Sequence, residues 1–135
     1  MPAGVPAKLD SISFLVVDDD AFIRNLLVRL LRLWGGVKIA IASSGVEALA
    51  HLDSADPKPD VLLVDLHMPG MGGVELMRLL AERAYKGAVI LVSGADPDTL
   101  IVAEEVAKYR GVTILGYITK PVTPAALAEM LAKFG

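Results

Sequence analysis

Short runs of consecutive apolar residues alternate along the chain with longer segments in which apolar residues recur every three or four positions. The short runs predict five β-strands: FLVV (14–17), VKIAI (37–41), VLLVD (61–65), AVILVS (88–93) and TILGYIT (113–119). Most of them are apolar throughout and lack the alternation of a strand that has one face in water. They therefore predict strands buried on both faces of a parallel sheet.

The longer segments predict five amphipathic helices. The first carries an apolar stripe opposite a row of arginines: Ile23, Leu26, Leu27, Leu30, Leu31 and Trp34. Gly35 and Gly36 are expected to end this helix. The second opens with the capping-box pattern Ser44-Gly-Val-Glu47. The others are predicted at about 74–85, 96–109 and 123–134, the last two opening with a cap residue and a proline.

Predicted strands and helices alternate five times after residue 12. Connections between parallel strands are right-handed and place helices on both faces of the sheet. The sequence therefore predicts one doubly wound α/β domain over residues 12–135, a five-stranded parallel sheet with five helices. Residues 1–11 are expected to form a flexible lead-in. Ligands of such folds bind beyond the carboxyl ends of the strands, so functional residues are expected there.

Composition narrows the function classes. The chain has 135 residues, of which 54% are apolar and 21% charged, as expected of a single folded domain. A net charge of −3 without a basic stripe argues against direct contact with nucleic acid. The absence of cysteine excludes disulfides and thiolate metal sites. The sequence shows neither a signal peptide nor an apolar run long enough to cross a bilayer, so we expect a cytoplasmic protein.

Polar residues end several of the predicted apolar strands. Because parallel strands end at one edge of a sheet, these side chains are expected to converge on one pocket. They are Asp18, Asp19 and Asp20 after the first strand, Asp65 at the third, Ser93 at the fourth and Lys120 after the fifth.

The acids of this predicted pocket repel one another. Two carboxylates about 4 Å apart repel by about 4 kcal/mol at an effective dielectric near 20. A group of Asp18, Asp19 and Asp65 therefore requires protonation, a lysine or a divalent cation. Carboxylate oxygens select a hard ion such as Mg²⁺.

A carboxylate surrounded by Mg²⁺, a lysine and a hydroxyl suits phosphoryl transfer. Asp65 is the candidate nucleophile, since an aspartate can carry a phosphoryl group as an acyl phosphate. The sequence contains neither a Gly-x4-Gly-Lys-Ser/Thr loop nor a Gly-x-Gly-x-x-Gly motif. We therefore expect the phosphoryl group to come from another protein or from a small donor.

Four motifs at these strand ends, LVVDDD, VLLVDLHMPGMGG, ILVSGA and GYITKP, resemble the receiver domain of two-component response regulators. The resemblance covers the chain from about residue 12 to residue 134. It implies a CheY-like, flavodoxin-type fold with the strand order 2-1-3-4-5. The segment LIVAEEVAKYRGVTILGYITKPVTPAAL is also similar to receivers of cyclic-di-GMP phosphodiesterase (EAL) regulators.

The resemblance implies a role for most of the strand-end residues. It implies that Mg²⁺ is bound by Asp18, Asp19, Asp65 and the backbone carbonyl of His67, and that Asp65 is the phosphoacceptor. Further implied roles are a switch hydroxyl at Ser93, a phosphate-binding lysine at Lys120 before Pro121, and an aromatic switch at Tyr117. His67 and Ala95 occupy the positions that tune the phosphoryl lifetime in this family, and Asp20 has no family role.

A receiver is a switch rather than an enzyme, with self-phosphorylation and autodephosphorylation as its only activities. The implied phosphodonor is a histidine kinase, a phosphotransfer protein or a small molecule. Phosphorylation is expected to change the face formed by the fourth helix, fifth strand and fifth helix. An output domain, an effector protein or a second copy in a homodimer would read that face, without contact to nucleic acid or membrane.

Two other functions fit parts of the pattern. A Mg²⁺-dependent phosphatase or phosphotransferase also forms an aspartyl phosphate, but it generally has a second acid two residues after the nucleophile. Here that position is His67. A degenerate receiver would bind partners without phosphorylation, but the complete set of acids, hydroxyl and lysine argues against it.

Overall fold

A computed structural model describes residues 5, 8–94 and 97–134 of the chain. Its strands are β1 (Ser13–Val17), β2 (Lys38–Ala42), β3 (Val61–Asp65), β4 (Ala88–Ser93) and β5 (Thr113–Thr119). Its α-helices are α1 (Ala21–Leu33), α2 (Gly45–Ser54), α3 (Gly73–Glu82), α4 (Pro97–Tyr109) and α5 (Pro124–Leu131). A short 3-10 helix, Leu9–Ser11, precedes β1.

The five strands form one parallel sheet in the order β2-β1-β3-β4-β5. This confirms the predicted doubly wound α/β fold and its strand order. The register places Val17 beside Ala42 and Val64, and it places Ser93 beside Thr119. The carboxyl ends of all five strands therefore lie along one edge.

Two apolar layers cover the sheet. One contains buried side chains of α1 and α5, and the other contains those of α2, α3 and α4. Every residue of β3 and β4 is buried, as is every residue of β1 after Ser13. Their burial on both faces explains why these strands are apolar throughout.

Side-chain caps begin three helices, and the sequence predicts two of them, at Ser44 and Thr123. Asp20 accepts from the backbone N–H groups of Phe22 and Ile23 at the start of α1. Ser44 accepts from Glu47 N–H at α2, and Thr123 caps α5 in the same way. The predicted cap residue of α4, Asp96, lies outside the described residues.

Several boundaries differ from the prediction by a few residues. β1 begins at Ser13 and β2 ends at Ala42, each one residue beyond the apolar run. α3 ends at Glu82 rather than near residue 85, because Ala84 adopts a positive φ of 51°. α5 ends at Leu131 rather than near residue 134.

Part of the amino-terminal segment contacts the domain where the structure describes it. Leu9 is only 1% exposed and Val5 is 8% exposed, and both pack in the apolar layer of α1 and α5. Burial of these apolar side chains stabilises the fold. Among the described residues, no helix is long and apolar enough to span a membrane.

Candidate functional site

The carboxyl ends of four strands bring the predicted site residues together. Asp18 follows β1, Asp65 is the last residue of β3, Ser93 ends β4, and Lys120 follows β5. The backbone N–H of Leu66 donates to Val92 O (3.3 Å) and that of Lys120 donates to Ser93 O (2.9 Å), which fixes these ends beside one another. The fold therefore assembles the predicted pocket.

Three carboxylates meet at the centre of this pocket. One oxygen from each of Asp18, Asp19 and Asp65 lies within 4.8 Å of the others. Asp18 is 1% exposed and Asp65 is 3% exposed, whereas Asp19 faces solvent. Two buried acids and one exposed acid thus form a cluster that is open to water on one side.

Lys120 supplies the positive charge nearest to the buried acids. Its Nζ lies 3.3 Å from Asp18 Oδ2 and 3.5 Å from Asp65 Oδ2. The Lys120–Pro121 peptide bond is cis. Three carboxylates against one ammonium leave two negative charges uncompensated.

Backbone hydrogen bonds hold the other oxygen of each buried acid. The N–H of Asp20 donates to Asp18 Oδ1 (2.9 Å), and the N–H of His67 donates to Asp65 Oδ1 (3.0 Å). The two Oδ2 atoms are therefore turned toward Lys120. Asp18 Oδ2 is buried and accepts no hydrogen bond from the described residues, even though the Lys120 ammonium lies at ion-pair distance.

The pKa of Asp65 reflects this balance. Burial raises it to about 6, and the charge of Asp18 adds to that effect against the opposing His67 N–H and Lys120. Burial acts to lower the pKa of Lys120, but the charges of Asp65 and Asp18 outweigh it and raise that pKa. Asp65 is therefore held in an environment that disfavours its negative charge until more positive charge is supplied.

The donor set fits a magnesium ion. Oxygen ligands in a carboxylate cluster are the preference of a hard divalent cation, and Mg²⁺ commonly takes one or two carboxylates together with water. The buried Oδ2 of Asp18, without a hydrogen bond, is an available ligand atom. One divalent ion would also neutralise the two uncompensated charges.

An open cavity of about 410 Å³ gives access to the cluster. It is lined by Asp19, Asp20, Asp65, His67, Gly94 and Lys120. Ser93 is fully buried at the end of β4. Tyr117 lies on β5, away from the lining, with 48% of its surface exposed. Ala95 lies outside the described residues.

Sequence reasoning missed two contacts of the acidic loop. Arg24 Nη1 donates to the backbone carbonyl of Asp18 (2.8 Å), so α1 holds the loop in place. The helical pattern predicts only that Arg24 lies on the polar side of α1, and its spacing of six residues from Asp18 gives no recognised signal. Asp20, to which no role was assigned, caps α1 and donates its N–H to Asp18.

The fold and the acidic pocket together define a class: five-stranded doubly wound domains with a carboxylate cluster at the carboxyl edge of the sheet. The sequence pattern of the response regulator receiver domain matches residues 14–132. The chain belongs to this family and is a phosphorylation-activated signalling switch, of the kind that typically binds Mg²⁺ at its acidic pocket.

Individual relatives agree with this assignment. The chain is 37% identical over 121 residues to the positive alginate biosynthesis regulatory protein of Pseudomonas aeruginosa, covering 88% of this chain but 45% of that protein. It is 34% identical to the chemotaxis protein CheY of the same species, covering 88% of this chain and 92% of that protein. The chain thus spans less than half of the alginate regulator but nearly all of CheY.

A solved structure shows the same architecture. The chemotaxis protein CheY4 of Vibrio cholerae superposes with a TM-score of 0.74 at 27% identity, covering 89% of this chain and 95% of that chain. None of these three proteins is named as a cyclic-di-GMP phosphodiesterase regulator. The expected similarity to EAL regulators is therefore not supported.

Proposed function

We propose that Asp65 is the phosphoacceptor of this receiver domain and that Asp18, Asp19 and Asp65 hold the Mg²⁺ ion that phosphorylation requires, together with the backbone carbonyl of His67. The observation that carries this proposal is the carboxylate cluster, whose ligand oxygens lie within 4.8 Å, with Lys120 Nζ between its two buried members. The cavity above Asp65 gives a phosphodonor access to the acceptor oxygen.

In the transfer step, a carboxylate oxygen of Asp65 forms a bond to phosphorus while the bond from phosphorus to the donor's leaving atom breaks. Asp65 Oδ1 is held by the His67 N–H, so Oδ2 is the oxygen we assign to the attack. When bound, Mg²⁺ would neutralise charge on the carboxylates and on the phosphoryl oxygens. In the autodephosphorylation that we assign to the domain, water attacks phosphorus, the bond between phosphorus and the Asp65 oxygen breaks, and inorganic phosphate and the free carboxylate are formed.

Lys120 and Ser93 are the residues we assign to the phosphoryl group. Lys120 Nζ already lies 3.5 Å from Asp65 Oδ2, so a phosphoryl oxygen on that atom would fall within its reach. Ser93 ends the neighbouring strand, and its hydroxyl would donate to another phosphoryl oxygen. A bound phosphoryl group carries about −1.5 to −2 charge, which draws both donors inward.

The inward movement of Ser93 leaves space that we assign to Tyr117, now half exposed on β5. The surface of α4, β5 and α5 then changes, and an output domain, an effector or a second copy reads it. Shifting a population from 1:99 to 99:1 requires about 5.5 kcal/mol of preference for the active state. A histidine kinase, a phosphotransfer protein or a small phosphodonor supplies the phosphoryl group in the cytoplasm.

Intact mass tests this proposal. The protein is incubated with acetyl phosphate in the presence of Mg²⁺ or of EDTA, beside Asp65→Asn and the matched control Asp20→Asn. We expect a gain of one phosphoryl group only with Mg²⁺, its loss in Asp65→Asn, and its retention in Asp20→Asn, since asparagine also caps a helix.

Other outcomes distinguish the alternatives. A gain that persists in Asp65→Asn would assign the acceptor elsewhere. No gain in the wild type with acetyl phosphate or phosphoramidate would favour a receiver that acts by binding alone. Sustained turnover of a phosphate monoester such as p-nitrophenyl phosphate would favour a phosphatase.

A further inference from the structure

The outer edge of β2 is apolar and open. Of the strands that the structure describes, β2 pairs with β1 alone. Ile41 on β2 is 54% exposed, and Val37, the residue that precedes the strand, is 70% exposed. Lys38 is the only charged residue of the strand. An edge of this kind is a template for pairing with another strand.

The hydrogen bonds to β1 determine which backbone groups of β2 point outward. The N–H of Asp18 donates to the carbonyl of Ala42 (3.1 Å), so Ala42 directs its backbone groups toward β1. These directions alternate along a strand, so Ala40 also bonds inward while Ile39 and Ile41 present their N–H and C=O groups to the outside. Ser43 also lies in this outward phase, but its N–H donates to Glu47 Oε1.

The opposite edge of the sheet is protected in a way that β2 is not. On β5 the pairing with β4 shifts between Val89 and Ile90, because Leu115 is an extra residue opposite them. Such a bulge twists an edge strand and disfavours further pairing. β2 pairs with β1 without a shift and contains no proline. The two edges therefore differ in their readiness to accept another strand.

We propose that β2 pairs with β2 of a second copy of this chain, antiparallel and centred on Ala40. This register places Ile39 of each copy opposite Ile41 of the other, and both residues direct their backbone groups outward. Each Ile39–Ile41 pair then exchanges two hydrogen bonds, as the hydrogen-bonded pairs of an antiparallel ladder do. The contact is isologous, so every favourable pair occurs twice.

Side-chain chemistry agrees with this register. Two β-branched side chains face each other in each Ile39–Ile41 pair, a favourable cross-strand combination. Lys38 lies opposite Ala42, so the two lysines of a dimer stand at opposite ends of the ribbon and no like charges are paired. An extended peptide from another protein could form hydrogen bonds with the same backbone groups. It would not form two equivalent Ile39–Ile41 pairs, as a second copy of the chain does.

This dimer is distinct from one formed through α4, β5 and α5, because β2 and β5 lie at opposite edges of the sheet. It does not depend on phosphorylation. It uses one five-residue strand from each copy, so we expect a weak, concentration-dependent association rather than a permanent interface.

Sedimentation equilibrium of the full chain tests the proposal, with EDTA and without a phosphodonor so that the phosphorylation site has no part in the result. We expect self-association over micromolar to millimolar concentrations. Ile41→Lys should weaken it at least about tenfold, because the substituted pair occurs twice in each dimer and lysine protects an edge strand. The matched control is Ile101→Lys on α4, where the isoleucine is 57% exposed.

Amide hydrogen exchange provides a second readout on the unmodified chain. The N–H groups of Ile39 and Ile41 should gain protection as concentration rises, while Ala40, bonded to β1, should be protected throughout. The proposal is overturned if the wild type remains monomeric up to millimolar concentration. It is also overturned if Ile101→Lys rather than Ile41→Lys disrupts the dimer, or if Ile39 and Ile41 stay unprotected in a dimer.

Discussion

The two ends of strand β3 each carry an aspartate, and the protein surrounds the two aspartates in opposite ways. Asp60 precedes the strand and Asp65 ends it. Asp60 Oδ2 accepts from the backbone N–H of Ser13 (2.9 Å) and from its hydroxyl (3.1 Å). The N–H of Asp60 donates back to Ser13 O (2.9 Å). This end of the sheet is closed by reciprocal hydrogen bonds.

Asp65 has no such closed arrangement at the other end. Its Oδ1 accepts from the His67 N–H, but its Oδ2 shares the single ammonium of Lys120 with Asp18. Burial, together with the neighbouring charge of Asp18, raises the pKa of Asp65 to about 6. The comparison shows that the hydrogen bonds at the amino edge of the sheet stabilise the fold. The carboxyl edge instead holds unfavourable negative charge that a divalent cation can neutralise.

The largest expected effect in this comparison concerns the glycines that flank β4. A Cβ on Gly87 would contact the Tyr85 hydroxyl and lie 2.7 Å from the carbonyl oxygen of Asp60. That hydroxyl donates to Pro59 O (2.7 Å), so Gly87→Ala would break a buried hydrogen bond and displace backbone. We expect a loss of about 3 kcal/mol in the free energy of unfolding, measured by urea denaturation.

The matched substitution at the other end of β4 is Gly94→Ala. The nearest atoms to a Cβ there belong to the Lys120 side chain, at 3.8 and 3.9 Å, which is ordinary contact. We expect a change within about 1 kcal/mol. Equal losses for the two variants would show that the amino edge is not the more tightly packed of the two.

The next largest effect concerns how the free energy of unfolding depends on the ionisation of Asp65, measured in EDTA so that no divalent ion is bound. The pKa is about 6 in the folded protein and 3.8 for the ordinary side chain. The folded state therefore binds the Asp65 proton more tightly than the unfolded state does. The stability that this proton contributes is fully present below about pH 4 and is lost as the pH rises through 6. Asp65→Asn cannot ionise and avoids that loss.

We therefore expect Asp65→Asn to equal the wild type in stability near pH 4 and to exceed it by up to about 3 kcal/mol above pH 7. Urea denaturation at a series of pH values measures the difference. An advantage that does not grow with pH would show that the carboxylate of Asp65 is not strained in the folded state.

Much of this architecture could be predicted from the sequence because burial on both faces leaves a direct signal. The runs at 61–65 and 88–93 match β3 and β4 residue for residue, and both strands are entirely buried. Boundaries were less exact where single residues decide them. The positive φ of Ala84, which ends α3, has no local signal since alanine rarely adopts it.

The candidate site was predictable for a different reason. Charged residues at the ends of buried strands lower the stability of the fold unless an ion pair or a bound ion compensates their charge, so they indicate a functional site. Asp18, Asp65 and Lys120 stand out on that ground, and the structure brings all three together. Arg24 was not predictable, since its contact with the Asp18 carbonyl depends on how α1 leaves the loop. The burial of Leu9 depends likewise on long-range packing.

A smaller effect is expected for the acid at the closed end. Asp60→Asn keeps an acceptor oxygen but removes the charge from two hydrogen bonds with Ser13. Bonds to charged groups contribute more than neutral ones, so we expect a loss of about 1 to 2 kcal/mol at pH 7. The same substitution thus has opposite signs at the two ends of β3, and urea denaturation of both variants checks this. A stabilising Asp60→Asn would remove the contrast.

The smallest effect is the stabilisation of the folded protein by Mg²⁺ bound at the carboxyl edge of the sheet. Mg²⁺ that binds only the folded protein stabilises it by about 1.4 kcal/mol at ten times its dissociation constant. We expect thermal unfolding of the wild type to shift upward with Mg²⁺. Asp19→Asn should lose most of this shift because it removes a ligand from the cluster. Asp20→Asn should keep it, because Asp20 caps α1 and is not one of the three clustered acids. An equal shift in all three proteins would mean that the ion binds outside this cluster.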